Sequence, residues 1–178
     1  MIQTLSKSEM LEMWRRHCGV EPLRLDATVT RTDGPDVDAL LTQQMRTWYV
    51  ELLATAPESL LRVTDVKAKT SVSFAAGDGM AVISVPQSVV RVLRVSFSDV
   101  SLPIEPTVEA ATVRRCGLNP LWRRPLMAPL GNGCWVLCAV SGQLTSVEAI
   151  VDEGEGVYTF DERALYEHQP TGACAQLL

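Results

Sequence analysis

The sequence has no apolar run approaching the ~18 residues that mark a membrane-spanning helix. Residues 1–17, MIQTLSKSEMLEMWRRH, lack the apolar core of a signal peptide. Both absences point to a chain made in a cytoplasm. Basic residues are not in excess, with 16 Lys and Arg against 21 Asp and Glu and a net charge of −5. That excludes broad affinity for nucleic acid, which needs a phosphate-neutralising surface. Histidine is scarce: His17 and His168 are the only two, each isolated in sequence. The five cysteines, Cys18, Cys116, Cys134, Cys138 and Cys174, are an odd count with no tight pattern. This argues for reduced thiols over a disulfide framework. No phosphate-binding G-x-x-x-x-G-K-[ST] motif, internal repeat or low-complexity segment is present.

These absences leave few candidates for chemistry. Cys134 and Cys138 have a metal-like spacing only if helical. On a strand, four residues span about 13 Å at about 3.3 Å each, too far for one ion. The Trp-Val-Leu filling after Gly133 favours a strand. A Cys–His dyad of His17 with Cys116 would have to be built entirely by the fold, with no local motif behind it. The sequence therefore predicts no catalytic residues, no metal, no cofactor and no enzyme.

What is present is a chain of 178 residues, 47% hydrophobic, enough for a real core in one domain with arms. We read residues 1–34 as an N-terminal helix and arm, 35–57 as a long helix, 58–160 as a β-rich region, and 161–178 as a short helix and tail. Ser6 and Glu9 form a capping-box pattern ahead of Met10, Leu11, Trp14 and Cys18 on one helical face, with Gly19 to close the helix. Gly34, Pro35 and Asp36 open the long helix. Its apolar stripe runs through Val37, Leu40, Leu41, Met45, Trp48, Tyr49, Leu52, Leu53 and Ala56, and Pro57 stops it. Trp48 and Tyr49 lie in that stripe and are expected in the core.

The stretch 66–97 organises the β-rich region. Val66, Ala68, Thr70, Val72 and Phe74 alternate with polar residues, the period of a half-buried strand. Gly77, Asp78 and Gly79 supply a tight turn. An apolar arm follows to Pro86, and β-branched residues 89–97 form a further strand. Residues 107–116 read as a short helix capped by Thr107, with Val108, Ala111, Thr112 and Arg115 in phase. Residues 131–133 mark a reversal before a strand from Cys134. Residues 144–151 and 157–160 are strands, and Asp161 caps a last helix over 162–167. The expected fold is α+β: N-terminal helices, one long and amphipathic, packed with a mainly antiparallel sheet that contains a long β-hairpin.

Charge is unevenly spread. Residues 91–124 carry six Arg against Asp99, Glu105 and Glu109, net +3; residues 141–178 carry seven acids against Arg163, net −6. Solvated surface accounts for such segments; so do complementary faces of a repeated subunit contact. On the second reading Arg114, Arg115, Trp122, Arg123 and Arg124 meet Asp152, Glu153 and Glu155.

The order of elements is similar to a known family. WYVELLATAP precedes a strand, then DGMAVISVPQSVVRVLRV, LNPLWRRPL and GVYTFDERAL. This resembles the head–tail connector (adaptor) proteins of tailed bacteriophages and prophages, such as the tubular tail adaptor of podoviruses. Asp78, Gly79, Ile83, Val85, Pro86, Val89, Val90, Arg91 and Val92 stand at the matching places, and the similarity covers residues 36–168. It implies a homo-oligomeric ring, often of twelve copies, that joins the portal protein to tail proteins in the virion, with DNA passing through the lumen unbound and no membrane partner. A different class stays open beside it: a small soluble α+β enzyme or ligand-binding module.

Overall fold

The computed structural model describes residues 1–19, 37–75 and 79–168. The expected arm at 20–34, the helix opening at 34–36, Gly77 and Asp78 of the turn, and the tail beyond 168 lie outside the described residues. In chain order the elements are β1 (Ile2–Ser6), α1 (Lys7–His17), α2 (Val37–Thr55), β2 (Val63–Asp65), β3 (Ser71–Phe74), β4 (Met80–Ser84) and β5 (Val89–Phe97). They continue with α3 (Ala110–Gly117), β6 (Leu126–Gly131), β7 (Cys134–Cys138), β8 (Leu144–Val151), β9 (Val157–Asp161) and α4 (Ala164–Glu167). The fold is α+β and mostly sheet, with antiparallel strand pairing. No described helix is long and apolar enough to cross a membrane. The chain divides into two compact units, residues 1–62 with 153–178 and residues 63–152.

The first unit joins the two ends of the chain. β1 pairs antiparallel with β9, Ile2 opposite Asp161 and Ser6 opposite Val157. The Ser6 side chain then accepts from the Glu9 N–H, and Glu9 reaches back to the Ser6 N–H, a complete capping box that starts α1. Trp14 of α1 meets Trp48 of α2 at 5.2 Å between centroids, Trp48 meets Phe160 at 5.4 Å, and Tyr49 meets Tyr158 at 4.9 Å. These rings are buried, as the stripe in the sequence indicates. Trp48 Nε1 donates to the His168 carbonyl at 2.9 Å, and Tyr49 Oη accepts from the Thr159 N–H at 2.9 Å, whereas the buried Trp14 Nε1 meets no acceptor among the described residues. The long helix is less cleanly amphipathic than expected. Leu40, assigned to the stripe, is exposed, and so is Val50, so apolar residues occupy both faces.

The second unit is two sheets on one core. The sheets run β2-β8-β5 and β3-β4-β7-β6. Ala81, Ile83, Val92, Val95, Phe97, Leu137, Val147 and Ala149 from both sheets form a single buried cluster. β7 shows the rule of alternation with both faces covered. Leu137 points into that cluster, while Val136 and Cys138 point the other way, under Val113 of α3. The segment CWVLC is therefore apolar throughout, and the two thiols sit on a strand as their setting suggested. β6 lies at the sheet edge, where Pro129 costs no interior ladder bond.

Three local expectations need correction. The last helix, read over 162–167 with Asp161 as its cap, runs only from Ala164 to Glu167 with Arg163 at the N-cap. The first arm of the hairpin is shorter than the alternation implied. Residues Lys67–Lys69 form a 3-10 turn, Ala68 is exposed, and only Ser71–Phe74 pairs with β4. Asp65 is the cause: its Oδ1 accepts from the Lys67 N–H at 2.9 Å and from the Val147 N–H at 3.0 Å, an alternative to strand pairing. Those two bonds also hold its carboxyl below the usual carboxylate range. The α3 phase differs as well. Glu109, not Thr107, is the N-cap, and Val113 is the buried residue, with Ala111 and Arg115 on the exposed side.

Candidate functional site

The sequence between Ala110 and Gly131 holds four Arg and no Asp or Glu. It folds into α3 and the loop leading to β6. Arg114 and Arg115 occupy the last turn of α3, where the negative helix end favours them. Gly117 follows; a Cβ there would fall 2.5 Å from the Met80 side chain, which would have to shift to make room.

The loop then holds itself in shape. Asn119 Oδ1 accepts from the Leu121 N–H at 3.0 Å, and the Trp122 N–H donates to the Asn119 carbonyl at 2.9 Å. Trp122 Nε1 donates to the Arg124 carbonyl, and an Arg123 guanidinium nitrogen donates to the Pro120 carbonyl at 2.6 Å. The result is a fixed loop that displays apolar side chains. Leu118 is 69% exposed and Leu121 82% exposed, while Trp122 is half-buried against the α3 cluster.

Beside this loop is an open cavity of about 400 Å³, lined among others by Cys116, Leu118, Trp122, Arg123, Ala139 and Ser141. Ala139 holds φ +57°, a left-handed conformation that disfavours a side chain. Its N–H is tied to the Gly79 carbonyl at 2.9 Å, where the chain leaves β7. Ser141 is fixed by Asp99, whose Oδ2 accepts from its N–H at 2.7 Å and from its hydroxyl at 2.9 Å. Burial works against the charged Asp99 carboxyl, yet the bonds from Ser141 hold it below the usual carboxylate range. Gly142 permits this approach, since a Cβ there would lie 2.4 Å from Asp99 Oδ1.

Arg114, Arg115, Trp122, Arg123 and Arg124 all lie in the second unit, on α3 and the loop after it; Trp122 and Arg123 line the cavity of about 400 Å³, whereas Arg124 lines a separate one with Leu102 and Pro125. Among the described residues no ion pair engages any of these four arginines. The acidic candidates divide. Asp152 follows β8 in the second unit, its N–H bonded to the Ser88 carbonyl at 2.8 Å. Glu153 and Glu155 precede β9 in the first unit, where Glu153 accepts from Thr159 Oγ1 at 3.2 Å. Glu155 borders a cavity of about 540 Å³ whose lining also includes Lys7, Asp38, Gln43, Arg46 and Tyr158. Gly79 of the hairpin turn has φ +58°, as a tight reversal requires.

The other candidates for chemistry have structural partners. His17 packs between the rings of Trp14 and Tyr166, at 5.8 and 5.7 Å. His168 Nε2 bonds Thr55 Oγ1 at 2.9 Å. Burial pushes the Cys138 thiol pKa up, away from the reactive thiolate. Among the described residues no group of three or more His, Cys, Asp or Glu could hold a metal ion.

Sequence reasoning missed Leu118, Leu121, Ala139 and Tyr166. Two leucines flanking an Asn-Pro turn were the available signal, because a tight turn cannot bury both. No protein-family model matches this chain, and no curated protein matches it as a relative.

Proposed function

We propose that this chain is a structural assembly protein: a head–tail connector that forms a ring of identical copies and joins portal to tail in a phage or prophage virion. The observation that carries this reading is the α3–β6 surface. The end of α3 and the fixed loop after it present two highly exposed leucines, a half-buried tryptophan and four arginines free of ion pairs among the described residues. Exposed apolar groups amid charge of one sign suit a partner of opposite charge. The chain also carries exposed acidic groups of its own: Glu153 and Glu155 before β9, and Glu162 and Glu167 around α4. Contacts between two unlike surfaces of one protein are the kind that generate rings. A net charge of −5 lets DNA pass through a lumen without sticking.

The test is the size of the purified protein by light scattering over a range of concentration and salt, with electron microscopy of any assembly. Closed rings that weaken as salt rises are expected. Reversal of Arg123 and Arg124 to Glu should weaken them, and Glu153→Lys with Glu155→Lys in the same chain should restore them. A monomer under every condition, or a source genome with no portal gene, overturns the reading. The ligand-binding alternative draws on the mixed-charge cavity of about 540 Å³ beside Arg46 and Glu155. A small molecule that raises the melting temperature of wild type but not of Arg46→Ala would favour it.

A further inference from the structure

We infer that Cys116 and Cys138 are an oxidisable pair, an internal disulfide site that hydrogen peroxide closes from the cavity beside Trp122. This goes beyond the assembly reading and does not depend on it.

Position singles out these two thiols. Cys138 is fully buried on β7. Cys116 is half-buried in the last turn of α3 and packs against the cluster that holds Cys138 together with Val113 and Leu126. A Cβ on Gly117 would lie 3.4 Å from the Cys138 Cβ, so the helix touches Cys138 at the residue adjoining Cys116. The two sulfurs also sense each other: a charge on Cys116 disfavours one on Cys138. The other thiols are placed elsewhere. Cys134 is four residues from Cys138 along the strand, about 13 Å at about 3.3 Å each, and pairs with Ser84 Oγ at 3.4 Å. Cys18 belongs to the first unit, and Cys174 lies outside the described residues.

Their exposure sets the order of events. Cys116 lines the open cavity of about 400 Å³, whereas Cys138 has no exposed surface, so an oxidant dissolved in water meets Cys116 first. The Cys116 thiolate attacks one peroxide oxygen and the O–O bond breaks. The departing hydroxide takes the proton that the thiol gave up, leaving water and a Cys116 sulfenic acid. Arg123 lines the same cavity, a cation at hand for that hydroxide. The Cys138 sulfur then attacks the Cys116 sulfur, the S–O bond breaks, and the hydroxyl leaves as water with the Cys138 proton. Two thiols have lost two electrons and one peroxide has become two waters. A bridge needs Cα atoms about 4.4–6.8 Å apart, and the end of a helix is where a small shift supplies that. It closes residues 116–138 into a loop and ties the end of α3 to β7. A reducing cytoplasm keeps such a pair as thiols, and an oxidising setting closes it.

The experiment treats the full, reduced chain with hydrogen peroxide, blocks the remaining thiols and maps the peptides by mass spectrometry. Wild type should lose two hydrogens in mass and yield a Cys116–Cys138 peptide. Its chains should stay unlinked to one another on a non-reducing gel, and it should melt at a higher temperature than the reduced protein. Cys116→Ser should lose both the bridge and the rise in melting temperature. Cys138→Ala should leave Cys116 as a sulfenic acid that dimedone captures, a product that wild type should not accumulate. A chain carrying Cys18→Ser, Cys134→Ser and Cys174→Ser should still close the bridge. This triple variant and the wild-type map decide the matter even if Cys138→Ala does not fold. Cys116 bridged to any other cysteine, in its own chain or in another copy, overturns the pair. So does wild type in which Cys116 goes on to sulfinic acid or stays a thiol.

Discussion

The two units solve the problem of a core in different ways. The first sets large rings from distant segments among long aliphatic side chains such as Met10, Leu41, Met45, Leu52 and Leu61. Trp14 and Trp48 come from helices, and Tyr158 and Phe160 from β9, whose partner β1 lies at the other end of the chain. The second relies on many small and β-branched side chains from one continuous stretch, residues 63–152. A core built around large rings concentrates more of its stability in single residues, and one that joins distant segments gains part of it only after long-range closure. A core of many small contacts spreads the risk.

The sharpest way to break that contrast is to truncate one residue of each core. Trp48→Ala removes the ring contacts with Trp14 and Phe160 and strands the His168 carbonyl, and should cost roughly 3–5 kcal/mol. Leu137→Ala should cost roughly 2–5 kcal/mol, at the lower end because neighbouring small side chains can close on the gap. Urea unfolding gives the totals, and amide exchange gives their location. Trp48→Ala should strip protection from α2 and β9 while β7 and β8 keep theirs. Loss of protection throughout the chain from either variant would mean that the two cores unfold as one block.

That contrast also explains what could be read from the sequence. The helix α2, β7, β8 and the capping box were legible because each is decided within a few residues, although the stripe read on α2 took in the exposed Leu40. β1 was not, since residues 2–6 become a strand only by pairing with β9. The alternation from Val66 to Thr70 misled, because a single carboxylate, Asp65, captured the backbone that a strand would have used. The basic half of the candidate site was visible as charge. Its apolar half was not, because whether Leu121 or Tyr166 is covered depends on what the rest of the fold leaves over, and hydrophobicity alone does not say.

A smaller effect tests the closure of the first unit by pH. Asp161 is buried at the end of β9. The Arg163 guanidinium, then the Met1 amino group at 2.6 Å, and the Arg163 N–H hold its carboxyl far below the usual range. A carboxyl whose folded pKa is depressed adds stability that is fully present above its unfolded value of about 3.9 and fades as pH falls toward the folded one. Asp161→Asn should therefore be less stable than wild type at pH 7, and the gap should narrow steadily below about pH 4. Urea midpoints across that range measure it. A gap that stays constant with pH would show that the charge of Asp161 does not help to close the chain ends.

The smallest effect compares two turns of the second unit. Gly79 and Gly133 both hold positive φ, at +58° and +71°. Any L-residue there pays about 1–2 kcal/mol for the left-handed backbone. Their surroundings differ. A Cβ on Gly79 would meet open space, whereas on Gly133 it would lie 3.1 Å from the Val85 carbonyl oxygen. That approach is built in: the Val85 N–H donates to the Gly133 carbonyl at 2.9 Å, tying the end of β4 to the β6–β7 turn. Gly133→Ala must either strain this link or break it, so it should cost more than Gly79→Ala, with the excess appearing as lost protection at the Val85 amide. Asn132, already at φ +52°, shows that this turn accepts a side chain where the space is open. Equal costs at the two glycines would mean that the β4 end yields freely, and that the distributed core does not depend on how its turns are joined.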